Sequence, residues 1–278
     1  MGKKMLTRVL IGTLFLVGTA LIFYPTVSNM LAERYHVTEI ENYDEIVTEM
    51  EERLKEEELQ KAREYNNALT GSGIRDPFIP ESGVVLPDNY TSVLGFSGGI
   101  MGYIKIPEID VYLPIYHGTS ENVLRKGSGH MENTAIPIGG EGNHTILTGH
   151  TGLSTARLFT DLDKLETGDV FYITVLDTTI AYAVDQILVV TPDDTSELVP
   201  VPDEDYVTLV TCTPYAINSH RLLVRGTRIP YTEDTEKAPV DVLQDWHMIL
   251  AAAASLMVLT VIICVVRKHR KNRKMRDK

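Results

Sequence analysis

Tyr206-Val-Thr-Leu-Val-Thr-Cys212-Thr-Pro-Tyr-Ala-Ile-Asn-Ser-His-Arg221-Leu-Leu-Val-Arg225 reads as strand, loop and strand. The first run is rich in β-branched residues, Pro214, Asn218 and Ser219 punctuate the loop, and a second apolar run leaves it. Side chains alternate along a strand, so Val207, Leu209 and Thr211 share one face and Thr208, Val210 and Cys212 the other. In the second run Leu222 and Val224 are expected toward the core, with Arg221 and Arg225 pointing away. Antiparallel pairing would make Cys212 and Arg221 near neighbours. A thiol and a guanidinium outside one sheet corner are a candidate site rather than packing.

The surrounding texture is similar. Strands are expected at 102–106, 111–115, 145–147, 170–175, 180–190, 207–212 and 222–228, with short helices at 121–126 and 153–165. Turn-rich pieces such as Gly139-Gly-Glu-Gly142 and Thr191-Pro-Asp-Asp194 separate them. Many short strands and few helices argue for a mainly β sandwich or closed barrel. There is no internal repeat, phosphate-binding loop, dinucleotide fingerprint or cluster with metal-ligand spacing.

The ends have another chemistry. Residues 9–30 are 22 without a formal charge, and 246–266 are 21 whose only ionisable side chains are His247 and Cys264. Each is long enough to span a bilayer as a helix. Both outer flanks are basic and both inner flanks nearly lack Lys and Arg, which places both termini in the cytoplasm and the middle outside. Residues 1–30 read as a membrane anchor or a signal segment cleaved after Ala32. Residues 31–70 read as an amphipathic helical stalk, in one helix or two. Its stripe of Ile40, Tyr43, Val47, Met50 and Leu54 packs on the exterior domain or lifts it from the membrane. A proline-containing loop over 71–99, the β domain over 100–232, a linker over 233–245, the second span over 246–266 and a basic tail over 267–278 complete the order.

Composition narrows the function. The net charge is −12, but without residues 1–8 and 267–278 there remain 15 Lys and Arg against 37 Asp and Glu, about −22 in total. Such a body does not bind nucleic acid. Cys264 lies in the second span, so Cys212 is the single thiol of the exterior part and has no disulfide partner there. A lone thiol in an exported domain is a candidate nucleophile.

A third residue type completes the chemistry. In Asn143-His-Thr-Ile-Leu-Thr-Gly149-His150-Thr-Gly152 a strand stops at a glycine-flanked histidine, which lifts the imidazole onto a loop at the sheet edge. His36, His117, His130, His144, His247 and His269 read as surface or satisfied side chains, and so does His220 beside Arg221. A thiol, protonated at neutral pH, needs a cationic neighbour to become thiolate, and an imidazolium supplies this and can protonate a leaving amine. An arginine keeps its charge and suits an oxyanion.

Thr208-Leu-Val-Thr-Cys212 resembles the cysteine signature of sortases, Leu147-Thr-Gly-His150 their histidine motif, and Arg221 stands where the family's arginine follows its cysteine. Gly102-Tyr-Ile-Lys-Ile-Pro107, Leu113-Pro-Ile-Tyr-His-Gly118 and 158–165 are similar to the pilin-polymerising class C branch. The likeness runs in order from Asp76 to Arg228; Thr151 departs from it, where class C members often carry arginine. The resemblance implies an eight-stranded β-barrel with the helical stalk and two flanking transmembrane helices, and Cys212, His150 and Arg221 as catalytic residues. It implies cleavage of an LPxTG-type sorting signal between Thr and Gly, a thioester on Cys212 and transfer to a pilin lysine. The implied partners are pilin or surface proteins bearing such signals, at the cell membrane, with no cofactor or metal. Asp76-Pro77-Phe78 resembles the class C lid, whose carboxylate meets the catalytic arginine and whose ring covers the cysteine; proline fixes the backbone between these side chains. Competing readings are a housekeeping sortase that attaches proteins to peptidoglycan, a hydrolytic cysteine peptidase, and a membrane-anchored surface protein. Residues 229–246 contain no LPxTG-like site, which argues against the last.

Overall fold

A computed structural model describes residues 2–69, 74–78 and 89–232. The hairpin that opened the reading is formed by β7 (Asp205–Thr213) and β8 (His220–Ile229). Their antiparallel register sets Thr211 opposite Leu222 and Cys212 opposite Arg221. Val207, Leu209, Leu222 and Val224 lie in the main hydrophobic core, while Val210 and Leu223 belong to a separate cluster on the outer face.

Six further strands complete a closed barrel: β1 (Ile100–Ile106), β2 (Val111–His117), β3 (Ser128–His130), β4 (Asn143–Thr148), β5 (Val170–Val175) and β6 (Thr178–Val190). They run in the order β1-β2-β3-β4-β7-β8-β6-β5, and β1 with β5 closes the circle. Closure leaves no unpaired sheet edge. The β2–β3 and β4–β7 pairs are parallel and the others antiparallel. Ile104, Ile115, Leu147, Phe171, Ile173 and Tyr182 fill the interior. The mainly β, eight-stranded architecture expected from the sequence is the one observed.

Two local expectations differ. Strand β3 was not legible: it is three residues long with glycine at its centre, and a Cβ on Gly129 would lie 2.5 Å from the Gly118 carbonyl oxygen. The helix expected over 153–165 is absent, replaced by a loop with one 3-10 turn at Leu162–Lys164. Leu158 in that loop has φ 43°, a left-handed conformation that no α-helix accommodates. The helix expected at 121–126 is α3 (Glu121–Leu124).

Two long helices precede the barrel. Helix α1 (Gly2–Glu49) runs without interruption from the apolar N-terminal stretch into the stalk, and α2 (Glu52–Ala68) follows a break at which Glu51 adopts an extended ψ of 138°. Ile40, Tyr43 and Val47 are buried against the barrel, while Leu54, the next member of the stripe, lies past the break and is exposed. Tyr43 donates to the Met101 carbonyl at 3.2 Å and accepts from the Leu176 amide at 2.7 Å. In α2, buried Asn66 donates to the Ile136 carbonyl at 3.2 Å and accepts from the Ile136 amide at 2.8 Å. The part of α1 from Gly12 is long and apolar enough to cross a membrane. The chain divides into two units, Met1–Val240 and Asp241–Lys278. The expected linker 233–245, second span 246–266 and tail 267–278 lie outside the described residues, as does most of the loop between α2 and Asn89.

Candidate active site

Three neighbouring strands each bring one residue to the same end of the barrel. Cys212, a free thiol, stands near the end of β7, with Arg221 opposite it on β8. On the other side β4 runs parallel to β7, Thr148 level with Val210. The same offset carries two residues further: the Gly149 amide donates to the Val210 carbonyl at 3.1 Å and the Thr211 hydroxyl donates to the Gly149 carbonyl at 2.7 Å. His150 is thus held level with Cys212, on the outer face by the alternation of side chains. Glycine at 149 is required, since a Cβ there would meet the Phe159 ring at 2.7 Å. The Phe159 amide in turn donates to the His150 carbonyl at 3.1 Å.

Asp76 and Phe78 lie against two members of this row, Arg221 and His150. The Asp76 carboxylate accepts two hydrogen bonds from Arg221, from Nε at 2.7 Å and from Nη2 at 2.6 Å. The Phe78 ring lies 5.8 Å from the His150 ring and 5.1 Å from the Arg221 guanidinium carbon. Ile74 and Phe78 also pack on the outer cluster of Met131, Ile146, Leu198, Val210 and Leu223. Arg221 therefore points away from the main core, as expected, and is nevertheless buried. Its Nη1 donates to the carbonyls of Asn218 and His220 at 3.1 and 3.0 Å.

The covered arrangement is electrostatically quiet. Burial pushes the Cys212 thiol up from its ordinary value; Arg221 opposes this and Asp76 adds to it. Burial works against the Arg221 charge, but Asp76 and the thiol outweigh it and hold the guanidinium above its ordinary value. The arginine that could favour a thiolate is thus already engaged by a carboxylate.

A residue that sequence reading missed touches the histidine. Glu121, the first residue of α3, sits with Oε2 3.2 Å from His150 Nε2 and accepts from Arg125 Nε at 2.7 Å. Burial raises its carboxyl, but Arg125 and His150 outweigh that and hold it below its ordinary value. Only topology joins them: α3 lies between β2 and β3, far from His150 in sequence.

Beside Cys212, at the barrel mouth, is a cleft of about 320 Å³ lined by Thr151, Thr160, Asp161, Asp163, Tyr215 and Leu222 among others. None of Asp76, Pro77 and Phe78 lines it. His130, His144 and His117 are occupied inside the fold: His130 with Tyr90 and Ala135, His144 with Thr208 and Val199, His117 with the carbonyls of Val93 and Gly99. Among the described residues no group of three or more His, Cys, Asp or Glu is placed to hold a metal ion.

The chain is similar in sequence and fold to known proteins. The Sortase domain family matches residues 104–229. Sortase A of Streptococcus agalactiae is 32% identical over 117 residues, covering 41% of this chain and 47% of that protein. The chain spans 47% of that protein and 59% of Sortase A of Bacillus anthracis, roughly half the length of these curated relatives. Coverage of solved structures is fuller. Sortase C-1 from Actinomyces oris is 46% identical, over 63% of this chain and 98% of that one, with a TM-score of 0.60. Streptococcus pneumoniae Sortase C, whose structure is described as bearing on pilin substrate specificity, is 47% identical over 69% and 97%, with a TM-score of 0.63. With the barrel order, the matched domain and this identity over nearly whole solved domains, the chain belongs to the sortase family.

Proposed function

We propose that this protein is a membrane-anchored cysteine transpeptidase that polymerises pilins, and that Asp76, Pro77 and Phe78 form a lid over its site. The observation that carries this reading is the row His150, Cys212 and Arg221 on β4, β7 and β8, capped by the Asp76 pair. With the lid displaced, Arg221 is released and Cys212 loses the influence that raised its pKa. The thiolate then attacks the Thr carbonyl carbon of an LPxTG-type signal, and the oxyanion that forms lies against the arginine. His150 donates its proton to the Gly nitrogen as the Thr–Gly bond breaks, leaving a thioester on Cys212. A lysine amine from a second subunit attacks the thioester, His150 accepts the proton, and the C–S bond breaks to give an isopeptide and free thiolate. Glu121 acts through His150 by holding the imidazole from its far side.

Partners of this activity are pilin or surface proteins that carry the sorting signal. The apolar part of α1 serves as the membrane anchor, with the barrel outside. The likeness to sortase C structures supports the pilin reading over the housekeeping one.

The test is to incubate the protein, wild type and Cys212→Ala, with a sorting-signal peptide and a lysine-containing peptide. Mass spectrometry is expected to find an acyl adduct on Cys212 and an amide-linked product with wild type only. Hydrolysed peptide without ligation would replace transpeptidase by peptidase. No adduct, even with Asp76→Ala and Phe78→Ala combined, would remove the thiol chemistry.

A further inference from the structure

Helix α1 changes character at Ser28. On its N-terminal side Leu14, Leu16, Leu21, Ile22 and Tyr24 are exposed, in a stretch apolar enough to cross a bilayer. From Ser28 onward the helix lies against the barrel domain. Ser28 Oγ donates to the Thr155 carbonyl at 3.2 Å, Ala32 packs on the core, and His36 hydrogen-bonds to the Lys126 backbone. The loop that holds Thr155 is the one leaving His150, and its Thr151, Thr160 and Asp161 wall the cleft beside Cys212. Ser28 stands two residues before Met30, where the uncharged run ends, about 3 Å along a helix axis. The catalytic-end loop thus meets α1 at the level where its apolar part stops.

Charge points to the same face. Residues 31–232 carry 14 Lys and Arg against 32 Asp and Glu, whereas 121–132 and 151–165, the segments that hydrogen-bond His36 and Ser28 through Lys126 and Thr155, together carry four of each. An acidic body is repelled by an anionic bilayer surface, and this is the neutral part of it.

We propose that the 151–165 loop is a membrane-facing surface that rests on phospholipid headgroups and holds the mouth of the Cys212 cleft at the bilayer surface. This rests on the reading of α1 as a membrane anchor. It gives the substrate a positional requirement beyond its motif. A sorting signal a few residues outside its own transmembrane segment meets Cys212 without leaving the bilayer surface; one held well above it does not.

The experiment uses the full chain in liposomes containing a lipid with a fluorescence quencher in its headgroup. Trp246→Phe removes the native tryptophan, and reporters are placed at two exposed sites, Ser154→Trp in the loop and Glu141→Trp at the opposite barrel end. The Ser154→Trp signal is expected to be quenched and the Glu141→Trp signal spared. A helical heptad inserted between Val27 and Ser28 lifts the domain by about 10 Å without altering its contacts with α1, and should abolish the Ser154→Trp quenching. Equal quenching of the two reporters, or quenching that survives the insertion, overturns the orientation. A chain that does not float with these liposomes overturns the proposal; because the expected span 246–266 could float the chain alone, it is the insertion in α1, not flotation, that ties the quenching to the α1 anchor. None of these readouts depends on catalysis, so they stand apart from the transpeptidase test.

Discussion

Asp76 and Arg221, 145 residues apart in sequence, form a bidentate ion pair at 2.7 and 2.6 Å that is buried on both sides. In the mechanism proposed above, Arg221 either holds the lid or faces the oxyanion, so the pair would couple cover to chemistry and displacement of Asp76 would release the guanidinium for the substrate.

Asp76→Ala is expected to raise the rate at which a thiol reagent labels Cys212 at neutral pH. Two effects have the same sign: removal of a carboxylate that raises the thiol pKa, and loss of the cover that buries it. A lower thiol pKa raises the thiolate fraction at neutral pH, and the thiolate is the species that reacts, so faster labelling is the expected outcome. Phe78→Ala, which uncovers His150 but keeps the carboxylate, should give a smaller gain. Unchanged labelling in both variants would remove the lid from the mechanism.

Glu121→Gln keeps the size of the side chain and the contact with His150 Nε2 but removes the charge. The expected outcome is a loss of about 3- to 30-fold in kcat with KM for the peptide little changed, in the range of groups that act through another residue. Glu121→Asp should recover part of it. The pH profile of kcat/KM should move as well, which a purely structural contact would not produce. An unaltered profile and rate would leave Glu121 as a cap on α3 and nothing more.

The chemistry was more legible in the sequence than the cover was. Alternation alone placed Cys212 and Arg221 on the outer face, and the strand ending at Gly149 put His150 at the sheet edge. Asp76-Pro77-Phe78 was read as a cover over Arg221 only through its resemblance to the class C lid; spacing and periodicity alone could not bring it there, because it returns to the barrel from a segment 145 residues away. Glu121 was invisible for the same reason. Strand β3 and the loop at Leu158 failed on local grounds: three residues with a central glycine carry no periodicity, and one left-handed residue cancels an otherwise helical pattern.

The Asn66 clamp predicts where the helical layer is fastened to the barrel. Asn66→Ala strips the Ile136 amide and carbonyl of their partners in a buried setting. Leaving two buried backbone groups unmatched costs about 2–4 kcal/mol. Urea unfolding should show a lower midpoint with an unchanged slope. Asn67→Ala, next to it and exposed, should change stability by less than about 0.5 kcal/mol. Equal effects of the two substitutions would mean the clamp contributes little.

Acid should destabilise the fold well before its carboxylates titrate. His130 is fully enclosed as a neutral ring: Nε2–H donates to the Ala135 carbonyl at 2.8 Å and Nδ1 accepts from the Tyr90 hydroxyl at 2.8 Å. Burial lowers its pKa from 6.5 to about 3, and burial lowers those of His144 and His36 to about 4. Between those values and 6.5 the unfolded chain binds protons that the folded chain refuses, so stability rises with pH across the window and falls as pH drops below 6.5. Near pH 5.5 each of the three rings contributes a slope of about 1.2 kcal/mol per pH unit, or about 3.6 together. Asp161 and Asp177, whose carboxyls ion pairs hold below the ordinary value of 3.8, lose their contribution only at lower pH, so the windows are separate. Denaturant unfolding measured from pH 7.5 to 5 should give this slope, and His144→Asn should lower it by about a third whatever it does to absolute stability. A flat profile down to pH 5, or an unchanged slope in the variant, would show that these rings do not couple protons to folding.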